Sequence, residues 1–320
     1  MSSSLCVSCV GHKDTMYAFD RCTVSSDGSK VVFGRMSGIA FAPGVDANLW
    51  AYDNNRRTLN RLTSGPTFKY SPSFSPDGRT IAYVDSADDE GGHIYLMAAD
   101  GQKPRQMTFG ERVERTPSFS ADGKKIVFAG ASVHKRYSIP SLKLGEMRLY
   151  DWDIWIMNSD GSSPRQLTFQ QYYSVDAPYF DSSGAHIIFG ADVSSGSGDT
   201  FKSQHVLMTL GISENGLAGD VKRVAVPSSS RSVYDGQPCF SPNGLEIAFV
   251  SARDGQSVPY TYDIWIASGA GSRPWQVTHD QSRDLDPIFS PDGEWIYYWI
   301  PTGGLWRVRT DGQNRSMLAQ

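Results

Sequence analysis

The chain has 320 residues, 39% hydrophobic and 20% charged, with 30 Lys+Arg against 34 Asp+Glu and a formal charge of −4, a globular composition that excludes a disordered or collagen-like chain. No apolar run approaches the roughly 18 residues of a membrane span, and there is no Lys/Arg block to supply a basic footprint for phosphates. Neither a membrane nor a nucleic acid is an expected partner.

The chain opens on Met1–Val10, which lacks a basic n-region and a long apolar h-region, so a cytoplasmic location is expected. Four cysteines, Cys6, Cys9, Cys22 and Cys239, are too few for a disulfide scaffold and fit a reducing compartment. Cys6, Cys9, His12 and Cys22 have ligand types suited to zinc. On a strand, however, Cys6 and Cys9 point to opposite faces and only one knuckle exists, so structural cysteines are expected and no metal is assigned.

From residue 23 onward one motif recurs. Ser73-Phe74-Ser75-Pro76-Asp77-Gly78 returns as Ser118–Gly123, Cys239–Gly244 and Ile288–Gly293, with degenerate copies at Thr23–Gly28 and Tyr179–Gly184. The closing glycines are 50, 45, 61, 60 and 49 residues apart, the spacing of propeller blades. After each glycine comes a short β-branched or aromatic run, such as Ile81–Val84, Ile126–Phe128, Ile187–Phe189, Ile247–Val250 and Ile296–Tyr298, predicted to be a buried strand. A second run aligns Trp50, Tyr95, Trp155, Leu207, Trp265 and Trp306, expected to pack between neighbouring blades. A third appears at Gln106–Thr108, Gln166–Thr168 and Gln276–Thr278, and more weakly at Leu62–Thr63 and Arg223–Val224. With the Pro-x-Phe segment as the first strand, each repeat has four.

Phe-Ser-Pro-Asp-Gly, the Asp-Ile-Trp-Ile strands at 153–156 and 263–266, the Asp160-Gly161 turn and Pro164-Arg165-Gln166-Leu167-Thr168 together resemble the TolB-like, or WD-repeat-like, six-bladed β-propeller family. The resemblance runs from about Phe19 to Leu318 and implies an all-β single domain of four-stranded antiparallel blades. The blades are expected at roughly 19–63, 70–109, 115–169, 176–226, 235–278 and 284–319. Residues 1–18, in which Leu5, Val7 and Cys9 alternate with Cys6, Ser8 and Val10, form a candidate ring-closing strand in competition with Arg315–Ala319. Propellers resembling this one serve as protein-interaction modules, substrate-gating domains of peptidases and polysaccharide lyases, so the resemblance is specific for fold and not for function.

In an up-and-down blade the first and third turns share one face. Here they are mostly tight Asp-Gly turns, structural punctuation rather than metal ligands. The opposite face receives the insertions 34–47, 85–92, 129–152, 191–204 and 251–262, and loops on a rigid scaffold are where binding is expected. The segments leading into the inner strands lie there too. They aim Asp20, Arg21, Lys69, Tyr70, Glu114, Arg115, Asp176, Tyr234, Asp235, Asp284 and Asp286 at the channel mouth. Such a funnel suits a polar or charged small ligand, or a peptide terminus. Asp176, Asp235 and Asp286 equally fit a structural role as caps, whereas Tyr70, Arg115 and Arg283 are stronger candidates for ligand contact.

His134, in the run His134-Lys135-Arg136-Tyr137, is the candidate general base, with Arg136 and Tyr137 beside it, should the funnel perform a β-elimination on an acidic sugar. The family's lyases place a histidine-rich metal site in the channel, and no matching histidines are found on the inner strands here. The expectation is therefore a binding scaffold for a protein or small polar ligand, with no resident cofactor. A channel-mouth lyase or hydrolase on an acidic carbohydrate is the alternative, and a divalent metal in the channel stays open.

Overall fold

The computed structural model describes residues 21–36, 47–86, 92–139, 144–195, 202–213, 217–226, 234–252, 261–268, 273–301 and 303–320, with backbone alone at 133–139, 144–150, 194–195 and 202–203. Every regular element among them is a strand, and none of the described residues forms a helix long and apolar enough to cross a membrane. The first repeat holds β1 (Thr23–Val24), β2 (Lys30–Met36), β3 (Ala47–Asp53) and β4 (Thr58–Arg61); the second holds β5 (Phe68–Phe74), β6 (Thr80–Ser86), β7 (His93–Ala98) and β8 (Arg105–Gln106). In the third are β9 (Val113–Phe119), β10 (Lys125–Ile139), β11 (Leu144–Asn158) and β12 (Arg165–Gln166), and in the fourth β13 (Val175–Phe180), β14 (His186–Ser195), β15 (Lys202–Ile212) and β16 (Ala218–Arg223). The fifth contributes β17 (Asp235–Phe240), β18 (Glu246–Ser251), β19 (Asp263–Ser268) and β20 (Trp275–Gln276), and the sixth β21 (Leu285–Phe289), β22 (Trp295–Ile300), β23 (Gly304–Arg309) and β24 (Ser316–Ala319).

The result is an all-β propeller of four-stranded antiparallel blades. The third to sixth repeats each form a separate sheet in chain order, whereas the first two, expected as separate blades, are joined into one eight-stranded sheet. The join is a single parallel bridge between Ala47 and Phe68, made where the head of β3 meets the segment leading into β5. Similar isolated parallel bridges link His205 to Tyr234 and Tyr262 to Arg283.

The second strand of each repeat carries a buried run, as its apolar sequence predicts: Val31–Phe33, Ile81–Val84, Ile126–Ala129 and Ile187–Phe189 are almost entirely inaccessible. Blade faces pack on each other, with Phe180, Ile187 and Phe189 lying against Val127, Ile154 and Leu167 of the preceding repeat. The aligned aromatics pack between neighbouring blades as expected, half-buried: Trp155 lies on a cluster that includes Ile94 and Met107 of the preceding repeat, Trp265 on one with Leu207, and Trp306 on one with Ile264 and Val277. Arginines cover several of them, Arg112 lying 3.9 Å and Arg315 4.5 Å from the Trp155 and Trp306 rings.

The recurrent turns are structural, as predicted. In Ser75-Pro76-Asp77-Gly78 the Ser75 hydroxyl donates to Asp77 Oδ1 at 2.6 Å and the Arg79 amide to the same oxygen at 3.1 Å, while Gly78 takes φ 68°. The same side-chain bonding from Ser25 and Ser29 holds the Asp27 carboxyl down to about 2.

Each inner strand from the second repeat onward carries a β-bulge just before its proline, where the register slips between Tyr70 and Ser73, Asp176 and Tyr179, Gly236 and Cys239, and Leu285 and Ile288. Ser71, Thr116, Ala177, Gln237 and Asp286 there have φ between 43° and 51°. Proline cannot donate to a ladder and is tolerated at such bulges. By alignment of the repeats, Arg21 occupies the equivalent place in the first.

The last blade is completed by β24 from the chain's C-terminal residues, paired with β23; the candidate N-terminal closing strand lies outside the described residues. First and sixth repeats meet through side chains, Val31, Phe33 and Tyr52 packing with Tyr297, Trp299 and Leu305 and the Phe33 and Trp299 rings 5.6 Å apart. Two of the expected insertion loops are instead strand extensions, since β10 and β11 pair as far as Ile139 and Leu144 and β14 and β15 as far as Ser195 and Lys202.

Candidate functional site

The heads of the fourth, fifth and sixth repeats assemble a connected polar cluster. His205, four residues into β15, is 6% exposed. Its Nδ1 lies 3.0 Å from Asp192 Oδ1 and its Nε2 2.9 Å from Asp176 Oδ2. Tyr234 donates its hydroxyl to the same Asp176 oxygen at 3.1 Å, and the bulge amide of Gln237 donates to Asp176 Oδ1 at 3.0 Å. The Tyr234 ring stacks on His205 at 4.6 Å and lies 5.0 Å from Tyr262, over which the Arg283 guanidinium sits at 5.5 Å. Two glycines make room: a Cβ on Gly190 would fall 2.1 Å from Asp176 Oδ1, and one on Gly236 2.7 Å from the Tyr234 hydroxyl.

Burial pushes the His205 imidazole down, but the Asp176 and Asp192 carboxylates outweigh it and lift its pKa to about 10. Burial likewise acts to raise Asp176, and His205 more than offsets it, holding the carboxyl below its ordinary value. The unit is an imidazolium clamped between two carboxylates.

Deeper in the channel Arg21 reaches across from the first repeat. Its Nε donates to the Tyr179 hydroxyl at 2.8 Å and its Nη1 to the Thr116 carbonyl at 3.3 Å, with the guanidinium 3.8 Å over the Tyr179 ring. Asp286 faces this group. Burial, opposed by Arg21 and reinforced by Asp176, pushes its carboxyl up to about 7, while its amide donates to Gln237 Oε1 at 3.0 Å. The Nη2 of Arg21 and Nε of Arg283 are buried without a hydrogen-bond acceptor.

Of the residues expected at the mouth, Arg21, Asp176, Tyr234, Arg283 and Asp286 are therefore brought together. Arg115 lies apart, its guanidinium 4.7 Å from the Trp152 ring. Tyr70 is 1% exposed and packs with Val84, Met36 and Phe68. Glu114 is wholly buried, receiving Thr108 Oγ1 at 2.8 Å and Arg112 Nε at 2.9 Å, with His93 at 3.1 Å, so it ties the second repeat to the third. Asp235 accepts the Ser251 hydroxyl at 2.5 Å and lines a cleft of about 360 Å³ with Val206, Leu207 and Arg223. Asp20 and the cysteine pair Cys6 and Cys9 with His12 lie outside the described residues, as do the side chains of His134, Arg136 and Tyr137. Cys22 is a buried free thiol in the core.

His205, Asp192 and Tyr262 are absent from the sequence-based site. Counting back two residues from the aligned Trp155, Leu207 and Trp265 puts His205 in register with Asp153 and Asp263, and that was the available signal. Asp153 in that position binds Thr168, Gln166 and the amides of Gln170 and Gln171.

This fold and these repeats define a class, the β-propellers built of four-stranded antiparallel blades. A profile of the TolB β-propeller domain (PD40) matches residues 22–150, less than half of the chain. The chain is 37% identical over 78 residues to an uncharacterised protein of Agrobacterium fabrum, a stretch covering 23% of this chain and 25% of the relative; the match thus spans a quarter of that relative's length. Among solved structures it is similar to TolB from Acinetobacter baumannii, with a TM-score of 0.62 and 20% identity over 93% of this chain and 62% of that one. It is also similar to an oligogalacturonate lyase in complex with manganese, with a TM-score of 0.57 and 15% identity over 94% of this chain and 76% of the other. At these identities the structural likeness concerns the fold.

Proposed function

We propose that the protein is a binding module that takes a protein segment on its loop-rich face, on a ring whose eight-stranded sheet counts as two of six blades. The observation that carries this is the state of His205. Both ring nitrogens are committed to carboxylates and its pKa stands at about 10, so at neutral pH it has no lone pair with which to accept a substrate proton. What remains is recognition chemistry: Arg21 and Arg283 with buried nitrogens lacking acceptors, Asp286 facing Arg21, and the extended β10–β11 and β14–β15 hairpins as walls beside the mouth. Arg115 belongs to the same face.

A second reading, an enzyme acting on an acidic carbohydrate, draws support from the same two arginines, which suit a carboxylate. Affinity capture with the intact protein, and with a variant in which residues 134–149 are replaced by a short turn, separates the two when run beside an oligouronate assay. A protein captured by the intact chain and lost in the shortened one, with no unsaturated uronate formed, supports the module. Turnover of the uronate that is lost in Arg21→Gln overturns it.

A further inference from the structure

Three residues at the bulge place of their inner strands come together across the ring: Arg21 of the first repeat, Thr116 of the third and Asp286 of the sixth. Thr116 and Asp286 have φ of 49° and 50°, and the bulge turns each of them out of the ordinary alternation of its strand. Arg21 is 3% exposed. Its bonded partners, the Tyr179 hydroxyl at 2.8 Å and the Thr116 carbonyl at 3.3 Å, are both neutral, whereas a buried charge is ordinarily paired with an opposite one.

Two donors at this place lack an acceptor. The Nη2 of Arg21 and the hydroxyl of Thr116 are both buried and unbonded, and the bond from Arg21 Nη1 to the Thr116 carbonyl ties the two residues together. A buried donor left unmade is costly, most of all a charged one. Asp286 faces the guanidinium, but burial opposes its ionisation and pushes the carboxyl up to about 7. The other groups around Arg21 and Asp286 are Asp176, Tyr179, Tyr234, Cys22 and Cys239. Asp176 is held ionised by His205, and burial raises both thiols and both phenols, so Asp286 alone of the set titrates near neutrality.

We propose that this place binds one carboxylate group, its oxygens taken by Arg21 Nη2 and the Thr116 hydroxyl, with Asp286 in its acid form as the neighbour. The donors select the class. A guanidinium N–H and a hydroxyl offer two donors to the two oxygens of a carboxylate. One negative charge balances the one charge of Arg21, whereas a phosphate dianion sets an excess charge against Asp286 and Asp176. A water takes one donor and leaves the buried cation unmatched. Protonated Asp286 donates to the incoming group as the acid of a carboxyl pair; ionised, it repels it. The proposal deepens the binding-module reading and takes from it only that the inner strands carry a ligand, the carboxylate being that of a free small acid or of a polypeptide end.

The full-length protein is titrated calorimetrically with sodium acetate, at constant ionic strength in a carboxylate-free buffer. One acetate per chain is expected at pH 6. Binding is expected to be about tenfold weaker or more in Arg21→Lys, which keeps the charge and loses Nη2, and in Thr116→Ala, since alanine already stands at this place in the fourth repeat as Ala177. Because the competent chains are those with Asp286 protonated, affinity falls roughly tenfold from pH 6 to pH 8, and Asp286→Asn removes that dependence. N-acetyl-triglycine separates the sources: tighter binding than acetate assigns a polypeptide end, and equal or weaker binding a free small acid. Absence of saturable binding of either acid up to roughly 50 mM, chloride binding as tight as acetate, or the amide of N-acetyl-triglycine binding as tightly as the acid overturns the proposal. Run beside the capture experiment, acetate bound with no protein captured counts against the module alone, and protein captured with no acetate bound against the carboxylate site alone.

Discussion

Replacing Asp176 by Ala removes the group on which the channel cluster converges. The carboxylate accepts from His205 at 2.9 Å, Tyr234 at 3.1 Å and the Gln237 amide at 3.0 Å, and its side chain is 20% exposed against 6% for His205. Breaking a buried pair by deleting one partner costs about 3–5 kcal/mol. The imidazole gives an independent figure. Raised from 6.5 to about 10, and at about 1.4 kcal/mol per tenfold change in proton affinity, it contributes roughly 4–5 kcal/mol when fully protonated. Both figures describe the same contacts and are not summed. For a chain of this size a loss of about 3–5 kcal/mol lowers Tm by roughly 6–10 °C at neutral pH. The sign with pH follows from a raised folded-state value: the contribution is complete below pH 6.5 and is lost as pH rises through 10. Scanning calorimetry from pH 6 to pH 10 is therefore expected to show the native chain losing stability across that window while Asp176→Ala and His205→Gln show a flatter profile. A Tm change under about 2 °C, or the same pH slope in all three proteins, would refute the clamped imidazolium.

Asp286→Asn is expected to stabilise the protein by about 1–2 kcal/mol at pH 8, the figure being discounted because the residue keeps some contact with solvent. Its carboxyl titrates near 7, so the native chain loses stability as pH rises from 4 through 7 and the variant gains nothing at pH 4; urea titrations at the two pH values check this. Glu114→Ala strands Thr108, Arg112 and His93 and is expected to cost about 3–4 kcal/mol in the same assay. Gly190→Ala drives a methyl into the Asp176–His205 pair, with an expected loss of about 1–3 kcal/mol and, by calorimetry, a weakened pH dependence toward 10.

The architecture was legible because a repeat of about 50 residues reports itself through its turns: Asp77, Asp122 and Asp292 are where their sequence puts them, each bound by the serine two residues earlier. The expected site was legible only in part. Tyr70 and Glu114 were read as facing the mouth from their place before the inner-strand proline, yet the bulge at that place shifts the alternation of side chains, and burial then claims both. His205 was passed over in favour of His134 because its partners Asp176 and Asp192 lie 29 and 13 residues away in sequence. The strand extension of β10 and β11 was hidden by reading length as a loop, although Val133, Tyr137, Ile139, Leu144, Leu149 and Tyr150 are strand-forming types.

The inner-strand bulges separate two properties that are usually coupled. Five successive repeats hold the residue before the proline in a left-handed conformation, although its identity runs through Ser, Thr, Ala, Gln and Asp, with Arg21 at the matching place in the first repeat. The backbone there is set by the proline and the sheet, so the side chain is not what defines the turn. Exchanging these residues rewrites the charge and hydrogen-bonding character of the channel lining while the blades keep their register. Asn and Gly, which tolerate φ > 0 best, are the replacements expected to relieve strain as they do so. A propeller built in this way can diverge in what it recognises faster than in how it folds.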